Sequence, residues 1–190
     1  MLRGTVRDKH GMPVSGALVE LKDNSFQTVC SAVSDDNGQY TLNAEKGVYP
    51  FLAAVKDYAV DNLEYWCQNL DLRQELQLDI CFDKLELYGL HAFHVKGGQN
   101  PLMVYFRPMS LTKFRAGLED ISPEIGTLEA RIDGQPVPVL RKNPVKELAG
   151  EQEMTAYLLQ LEAQSEDWKK LELYLWDTEG NFGMAGIFNG

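Results

Sequence analysis

The stretch from Gly4 to Tyr58 constrains the fold of this chain more than any other, because short extended runs alternate there with tight-turn residues. Residues 4–21 read G-x-V-x-D-x-x-G-x-P-V-x-G-A-x-V-x-L, in which glycine and proline supply the turn between two strands. Apolar residues recur with a period of two over Ala17–Leu21, which places them on one face of a strand. Asn37-Gly38 marks a further tight turn before the strand pattern of Gln39–Leu42.

This pattern is followed by D-x-x-G-x-Y-x-L from Asp35 and by G-x-Y from Gly47. Together they resemble the carboxypeptidase regulatory-like domain over residues 2–82. The resemblance implies a seven-stranded transthyretin-like (prealbumin-like) β-sandwich and a non-catalytic module, since members are usually appended to enzymes, receptors or adhesins. The matching positions are turn and core positions, so they predict a fold and not a ligand.

The family is mostly extracellular or associated with the cell envelope. The sequence, in contrast, starts the domain almost at Met1 with no secretion signal, so either the true start lies upstream of Met1 or the protein stays in the cytoplasm.

Alternation between apolar and polar residues predicts seven strands in the first half, the last of them spanning Glu75–Phe82 and closing the sandwich. The second half shows similar short runs separated by turn residues, and the Ser110–Ile125 segment predicts a long connection with a helical turn. The second-half strands are predicted at 84–96, 102–107, 126–132, 137–141, 155–161, 171–177 and 182–188, with turns at Gly97–Pro101, Asp133-Gly134, Asn143-Pro144 and Glu179–Asn181.

The expected fold is therefore all-β, a transthyretin-like sandwich followed by a second, Ig-like β-sandwich. The two domains are predicted at residues 1–82 and 83–190. No linker rich in proline, glycine or serine separates them, so they are expected to abut.

The charge balance excludes several classes of partner. With 18 lysines and arginines against 28 aspartates and glutamates, the formal net charge is −10. Nucleic acids and anionic membrane surfaces bind clustered basic residues, so neither is expected as a partner. The apolar run at Pro50–Val55 is far shorter than a membrane span, so no membrane insertion is expected.

Three cysteines, Cys30, Cys67 and Cys81, are too few and wrongly spaced for a disulfide-rich scaffold. Either Cys67 pairs with Cys81, or all three are buried free thiols.

No motif predicts catalysis or a metal. His91 and His94 lie three apart, which on a strand points them to opposite faces, and Glu86 or His10 would have to complete any metal site there. The sequence of Asp35–Gly38 offers oxygens but lacks the spacing of a calcium loop. No nucleophile elbow is present. The sequence therefore predicts no catalytic residue, no metal ligand and no cofactor, and a protein that is not an enzyme.

Aromatic residues are the remaining candidates for a ligand-binding site. Three alternating leucines of Leu171–Leu175 share one strand face, so Tyr174 and Trp176 fall on the other face and are the candidate ligand-binding residues. Their partner could be a glycan, a protein or the first domain itself. Tyr65-Trp66 is a second aromatic pair.

The predicted function is a non-enzymatic binding or scaffolding module that presents loops and strand faces to a protein or carbohydrate partner. The alternatives are a carbohydrate-binding accessory protein of a glycan-degrading system, and a small hydrolase with its site at the domain junction.

Overall fold

The computed structural model describes residues 1–95, 101–162 and 165–190. Within these ranges the chain forms strands and one short helix, which confirms the all-β expectation. The strands are β1 (Leu2–Arg7), β2 (Leu18–Lys22), β3 (Thr28–Val33), β4 (Gln39–Leu42), β5 (Val48–Val55), β6 (Tyr65–Asp71), β7 (Leu76–Gln77), β8 (Ile80–Cys81), β9 (Leu85–His94), β10 (Leu102–Ser110), β11 (Ile125–Ile132), β12 (Gln135–Val137), β13 (Val139–Ala149), β14 (Gln152–Leu161), β15 (Lys170–Asp177) and β16 (Phe182–Phe188); the helix α1 (Leu111–Arg115) lies between β10 and β11.

The described strands form three sheets. The first, in the order β4-β1-β7 with β8 also paired to β1, and the second, in the order β13-β14-β10-β9, each have four strands. The third is a long sheet of eight strands in the order β12-β11-β15-β16-β6-β5-β2-β3. Strands from both halves of the chain therefore belong to one continuous sheet.

The last strand, β16, joins the two halves. It pairs antiparallel with β15 and parallel with β6, so that Ala185, Gly186 and Ile187 lie opposite Trp66, Cys67 and Gln68. Because successive side chains of a strand point to opposite faces, β16 contributes buried side chains to two cores.

One core contains Phe182 and Met184 together with residues of the first 82 positions, and the other contains Ala185 and Ile187 together with residues from Leu85 onward. The sheet of β1 covers one face of the long sheet over β2, β5 and β6. The sheet of β9 covers the opposite face over β11, β15 and β16.

Asp83 lies at the junction between the two halves and makes two contacts there. Its Oδ2 accepts a hydrogen bond from the Phe182 backbone N–H at 3.0 Å and pairs with Lys9 Nζ at 3.0 Å. We propose residue 83 as the point where the chain passes from the first core to the second, although the long sheet contains strands from both sides of this residue.

Local sequence explains the turns of the first half. The Asp35 carboxylate accepts hydrogen bonds from the backbone N–H groups of Asn37 and Gln39, which closes the turn before β4. Gly38 follows at φ 74°, and a Cβ there would lie 2.4 Å from the carbonyl oxygen of Val6, so only glycine fits.

Three predicted strands and turns were wrong in detail. The predicted strand 137–141 is interrupted at Pro138, between the end of β12 and the start of β13. Asn143-Pro144 is not a turn but part of β13, paired with Leu158 and Tyr157. Proline is tolerated there because β13 is an edge strand, where one side of the backbone needs no partner. The turn falls instead at Gly150, with φ 70°.

The predicted closing strand Glu75–Phe82 is broken into β7 and β8 around Leu78 and Asp79. At the break the Thr5 N–H donates to Asp79 Oδ1 (2.9 Å), and Tyr40 Oη donates to the Leu78 carbonyl (2.7 Å). The predicted helical turn between 110 and 125 is confirmed as α1. Lys96 and most of the predicted turn Gly97–Pro101 lie outside the described residues.

Candidate functional site

The offset between the two covering sheets creates a step on each face of the long sheet. On one face the sheet of β9 ends at the β9 edge, and the long sheet continues uncovered through β5 and β2 to β3. On the opposite face the sheet of β1 ends at β7 and β8, next to uncovered residues of β15. Each step holds a groove.

The first groove is lined by aromatic rings, and we call it the aromatic groove. It encloses about 250 Å³. Phe26 stacks on Phe51 with ring centres 4.6 Å apart, and Trp66 meets Phe26, Phe51 and Tyr88 edge-on at 6.3, 6.5 and 5.9 Å. Gln68, Leu90 and His91 complete the lining.

An aspartate-capped turn places Phe26 at the end of this groove. The Asp23 carboxylate accepts hydrogen bonds from the N–H groups of Ser25 and Gln27, which tightens the connection between β2 and β3. Phe26 sits there at φ 58° with its side chain 46% exposed. A left-handed backbone conformation lowers the stability of the fold by about 1 kcal/mol at a non-glycine residue, so the exposed position of the Phe26 ring is held at a cost in stability.

A bulge in β9 places Tyr88 on the groove wall. Gly89, at φ 66°, and Leu90 lie between the pairs Tyr88–Arg107 and His91–Tyr105, where only one residue stands on the partner strand. The Arg107 guanidinium lies 4.9 Å from the Tyr88 ring centre and pairs with Glu147 at 3.1 Å. Arg107 is not part of the groove lining, so this cation–π contact helps to hold the Tyr88 ring in place and adds no charge to the groove.

Trp66 connects the groove to a buried carboxyl group. Its indole Nε1–H donates to Glu86 Oε1 at 2.9 Å, and Glu86 is only 2% exposed. Burial, the largest influence, and the nearby charge of Glu64 raise the pKa of Glu86 to about 7. The Trp66 hydrogen bond, the Glu64 backbone N–H and the charge of Arg107 act in the opposite direction.

The second groove lies on the opposite face and carries charged and polar side chains, so we call it the charged groove. It encloses about 510 Å³ and is lined by Arg7, Gln77, Asp79, Lys170, Glu172 and Tyr174, with Ile80, Cys81 and Met184 behind them. Lys170 pairs with Glu172 at 2.7 Å. Burial and the charge of Glu172 raise the pKa of Tyr174 to about 12.

The two residues that the sequence offered for ligand binding lie on the same face of β15, and both pack against the first core, with ring centres 6.5 Å (Tyr174) and 5.0 Å (Trp176) from that of Phe182. Tyr174 lines the charged groove, with the Arg131 guanidinium 4.9 Å from its ring centre. Both are half-buried, and the alternating leucines of Leu171–Leu175 lie in the second core.

The histidines and cysteines do not converge. His91 lines the aromatic groove, His94 points to the other face of β9, and His10 lies in the turn after β1. Among the residues that the structure describes, no three histidine, cysteine, aspartate or glutamate side chains are grouped to hold a metal ion.

The three thiols are free: Cys67 is buried, and Cys30 and Cys81 are half-buried. Burial raises the pKa of Cys67 and of Cys81 to about 12, which makes both poor nucleophiles.

Sequence reasoning had marked Trp66 as part of an aromatic pair and Glu86 only as a distant metal ligand. It missed Phe26, Phe51 and Tyr88, which lie far apart along the chain. The signal in the sequence was an aromatic residue directly after the turn-forming run Asp23-Asn24-Ser25, where a ring has no core to enter.

Comparison with known proteins places the family likeness in the first half. Residues 1–66 match the carboxypeptidase regulatory-like domain. No curated protein matches the sequence. No helix in the described ranges is long and apolar enough to cross a bilayer.

Several solved structures are similar in fold at low identity. A DUF3823 family protein from Bacteroides ovatus is 10% identical, with 100% of this chain and 98% of that chain covered and a TM-score of 0.33. A DUF3823 family protein from Parabacteroides merdae is 11% identical, with 96% and 93% covered and a TM-score of 0.31.

BcpA, the major pilin subunit of Bacillus cereus, is 10% identical with a TM-score of 0.32; 98% of this chain is covered, and the chain spans 66% of the pilin. Scores this low carry no argument about function.

Proposed function

We propose that this protein is a non-catalytic binding module that holds a protein partner in the aromatic groove. The observation that carries the proposal is the convergence of Phe26, Phe51, Trp66 and Tyr88 at a step where the long sheet is left uncovered. Aromatic side chains and arginine are the residue types most enriched in the energetic centres of protein interfaces. The strained backbone of Phe26 supports the same reading, because strain of this kind accumulates where a side chain is displayed for use.

The neighbouring edge strand favours a partner in extended conformation. β3 begins two residues after Phe26, pairs with β2 alone among the described strands and has the uncharged sequence TVCSAV. Val29 and Val33 are 54% and 62% exposed. Most proteins protect such an edge with charges or proline, and an unprotected edge can accept a further strand by main-chain hydrogen bonds. A partner strand on β3 would end at the aromatic groove, which could take one of its side chains.

Photo-crosslinking from single positions tests this proposal. A benzophenone amino acid replaces Phe26 in the native host, and in a matched control it replaces Tyr174 on the opposite face. We expect a discrete protein adduct from position 26, weakened when Trp66 is also changed to leucine, and none of the same mass from position 174. Equal adducts from both positions, or none from position 26, would contradict the proposal.

The charged groove supports a second candidate function, carbohydrate binding. Its carboxylates, amide and cationic groups can exchange hydrogen bonds with sugar hydroxyls, and the half-buried ring of Tyr174 can contact the apolar face of a sugar. We expect Tyr174→Ala to abolish binding on a glycan array, whereas Phe26→Ala keeps binding. Because Tyr174 also packs against the first core, Trp176→Ala, which loses packing against the same core but does not line the charged groove, serves as the stability control and should keep binding. If no glycan depends on Tyr174, this second function is wrong.

A further inference from the structure

A small cavity lies at the junction of the two halves, and Glu86, the hydrogen-bond partner of Trp66, is part of its lining. It encloses about 250 Å³ between the loop before β6, the strands β9 and β10, and the segment of α1. Its lining is apolar apart from one carboxyl group and one phenol: Leu63, Met109, Phe114 and Ile121 face Tyr58 and Glu86. An apolar cavity of about 150 Å³ is enough to hold benzene, so this space admits a ring-sized body.

Glu86 gives the cavity an unfilled hydrogen-bonding capacity. Oε1 accepts the Trp66 hydrogen bond, whereas buried Oε2 has no donor in hydrogen-bond geometry in the described part of the chain; the Glu64 backbone N–H, which lowers the pKa of this carboxyl, does not meet that geometry. Glu86 also has no salt-bridge partner there, since Arg107 pairs with Glu147. A buried carboxyl oxygen without a donor destabilises a fold by about 1–3 kcal/mol, so its retention suggests that a donor comes from a ligand.

The surrounding charges favour a cation. At pH values above about 7 Glu86 is ionised, and the neighbouring Glu64, which precedes β6, is a second carboxyl group. Burial, and then the charges of Glu86 and Glu64, raise the pKa of the Tyr58 phenol to about 12. The positive group nearby, Arg107 on β10, is engaged by Glu147 and by the Tyr88 ring. A cationic donor can supply both the missing hydrogen bond and the missing charge.

The rim of the cavity is apolar. Tyr58 and Val60 on the loop before β6 are 51% and 59% exposed, and Phe114 and Leu118 at α1 are 57% and 50% exposed. Clustered exposed apolar side chains of this kind mark ligand or partner sites. A ligand with a cationic end and an apolar body would bury both.

We propose that this cavity binds a primary ammonium carried on a small apolar body, with Glu86 as its counter-ion and hydrogen-bond acceptor. This site is independent of the partner proposed for the aromatic groove: Trp66 lines that groove and is linked to the cavity through its hydrogen bond to Glu86. A ligand here would contact residues of both halves of the chain, and its binding would stabilise the junction.

Two probes of nearly equal shape test the proposal. Cyclohexylmethylamine carries the ammonium group, and cyclohexylmethanol is its neutral analogue. At about pH 8 the alkylamine is protonated. Binding is followed by the NMR shift of the Trp66 indole N–H, which donates to Glu86. We expect saturable shifts with the amine and binding at least about tenfold weaker with the alcohol.

Variants separate the site from nonspecific contact. Glu86→Gln keeps the shape and the Trp66 hydrogen bond, and should weaken amine binding at least about tenfold. Glu172→Gln, which removes a carboxylate from the charged groove, should leave it unchanged. Equal binding of the two probes, unchanged binding to Glu86→Gln, or no saturation with either probe would overturn the proposal, and crosslinking at position 26 would be unaffected by that result.

Discussion

Replacing Glu86 by glutamine is expected to remove a pH-dependent loss of stability. Burial raises the pKa of this carboxyl from 4.5 to about 7, so the folded state prefers the neutral acid. At pH values below 4.5 the group is protonated in both the folded and the unfolded chain. Between 4.5 and about 7 only the folded chain keeps the proton, and the free energy of unfolding falls as the pH rises. Above about 7 both states are ionised and the loss is complete.

The magnitude follows from the same pKa. The folded and unfolded values differ by about 2.5 pH units, and each unit corresponds to about 1.4 kcal/mol, so ionising Glu86 destabilises the fold by about 3 kcal/mol. Glutamine has nearly the same shape, stays neutral and still accepts the Trp66 hydrogen bond. The variant should match the parent protein near pH 4.5 and exceed it by about 3 kcal/mol at pH 8.

Urea unfolding of the two proteins across this pH range measures the difference directly. Glu64, whose pKa burial also raises, titrates in both proteins and therefore largely cancels. Glu45→Gln removes an exposed carboxyl and serves as the control, for which a flat difference is expected. If the Glu86→Gln difference is also flat, Glu86 is not held neutral by burial and the electrostatic reasoning is wrong.

Three further predictions concern packing and backbone strain, and urea unfolding measures each of them. Gly183→Ala should lower the free energy of unfolding by about 3 kcal/mol, because the new Cβ would lie 2.5 Å from the Leu85 carbonyl oxygen. Gly186→Ala should lower it by less, because the nearest contact of its Cβ would be at 3.2 Å. Equal losses would contradict the close approach of β16 and β9. Trp176→Ala should lower the free energy of unfolding by about 2 kcal/mol, because the ring packs against the first core. If stability does not change, the ring is not packed and Trp176 is again a candidate for ligand binding. Ala59→Gly should add about 1 kcal/mol, since Ala59 has φ 59°; a loss would mean that this loop adopts another conformation.

Most strands were predictable because their signals are local. Period-two alternation and turn residues located β1 to β6 and β14 to β16 to within a few residues. The same signals misread Asn143-Pro144, because a proline marks a turn and an edge strand equally well.

The pairing of β6 with β16 was beyond local signals. These strands are separated by more than a hundred residues, and neither carries a sequence mark of its partner. The aromatic groove depends on this same sheet order, which brings Phe51 and Trp66 beside a ring from the β2–β3 turn. The burial of Glu86 was equally unpredictable, because the sequence does not show which face of its strand another sheet will cover.

The place of β16 has a consequence for how the protein is made. Residues 182–188 leave the ribosome late, yet Phe182 and Met184 belong to the core built mainly from the first 82 residues. The amino-terminal half must therefore wait, incompletely packed and with the β6 edge open, until this strand arrives. During that interval an unpaired strand edge is exposed, which is the kind of surface on which chains aggregate. Once β16 is in place, the hydrogen-bonded sheet runs without interruption through both halves, and a pulling force on one half reaches the other through the backbone of the sheet instead of a hinge.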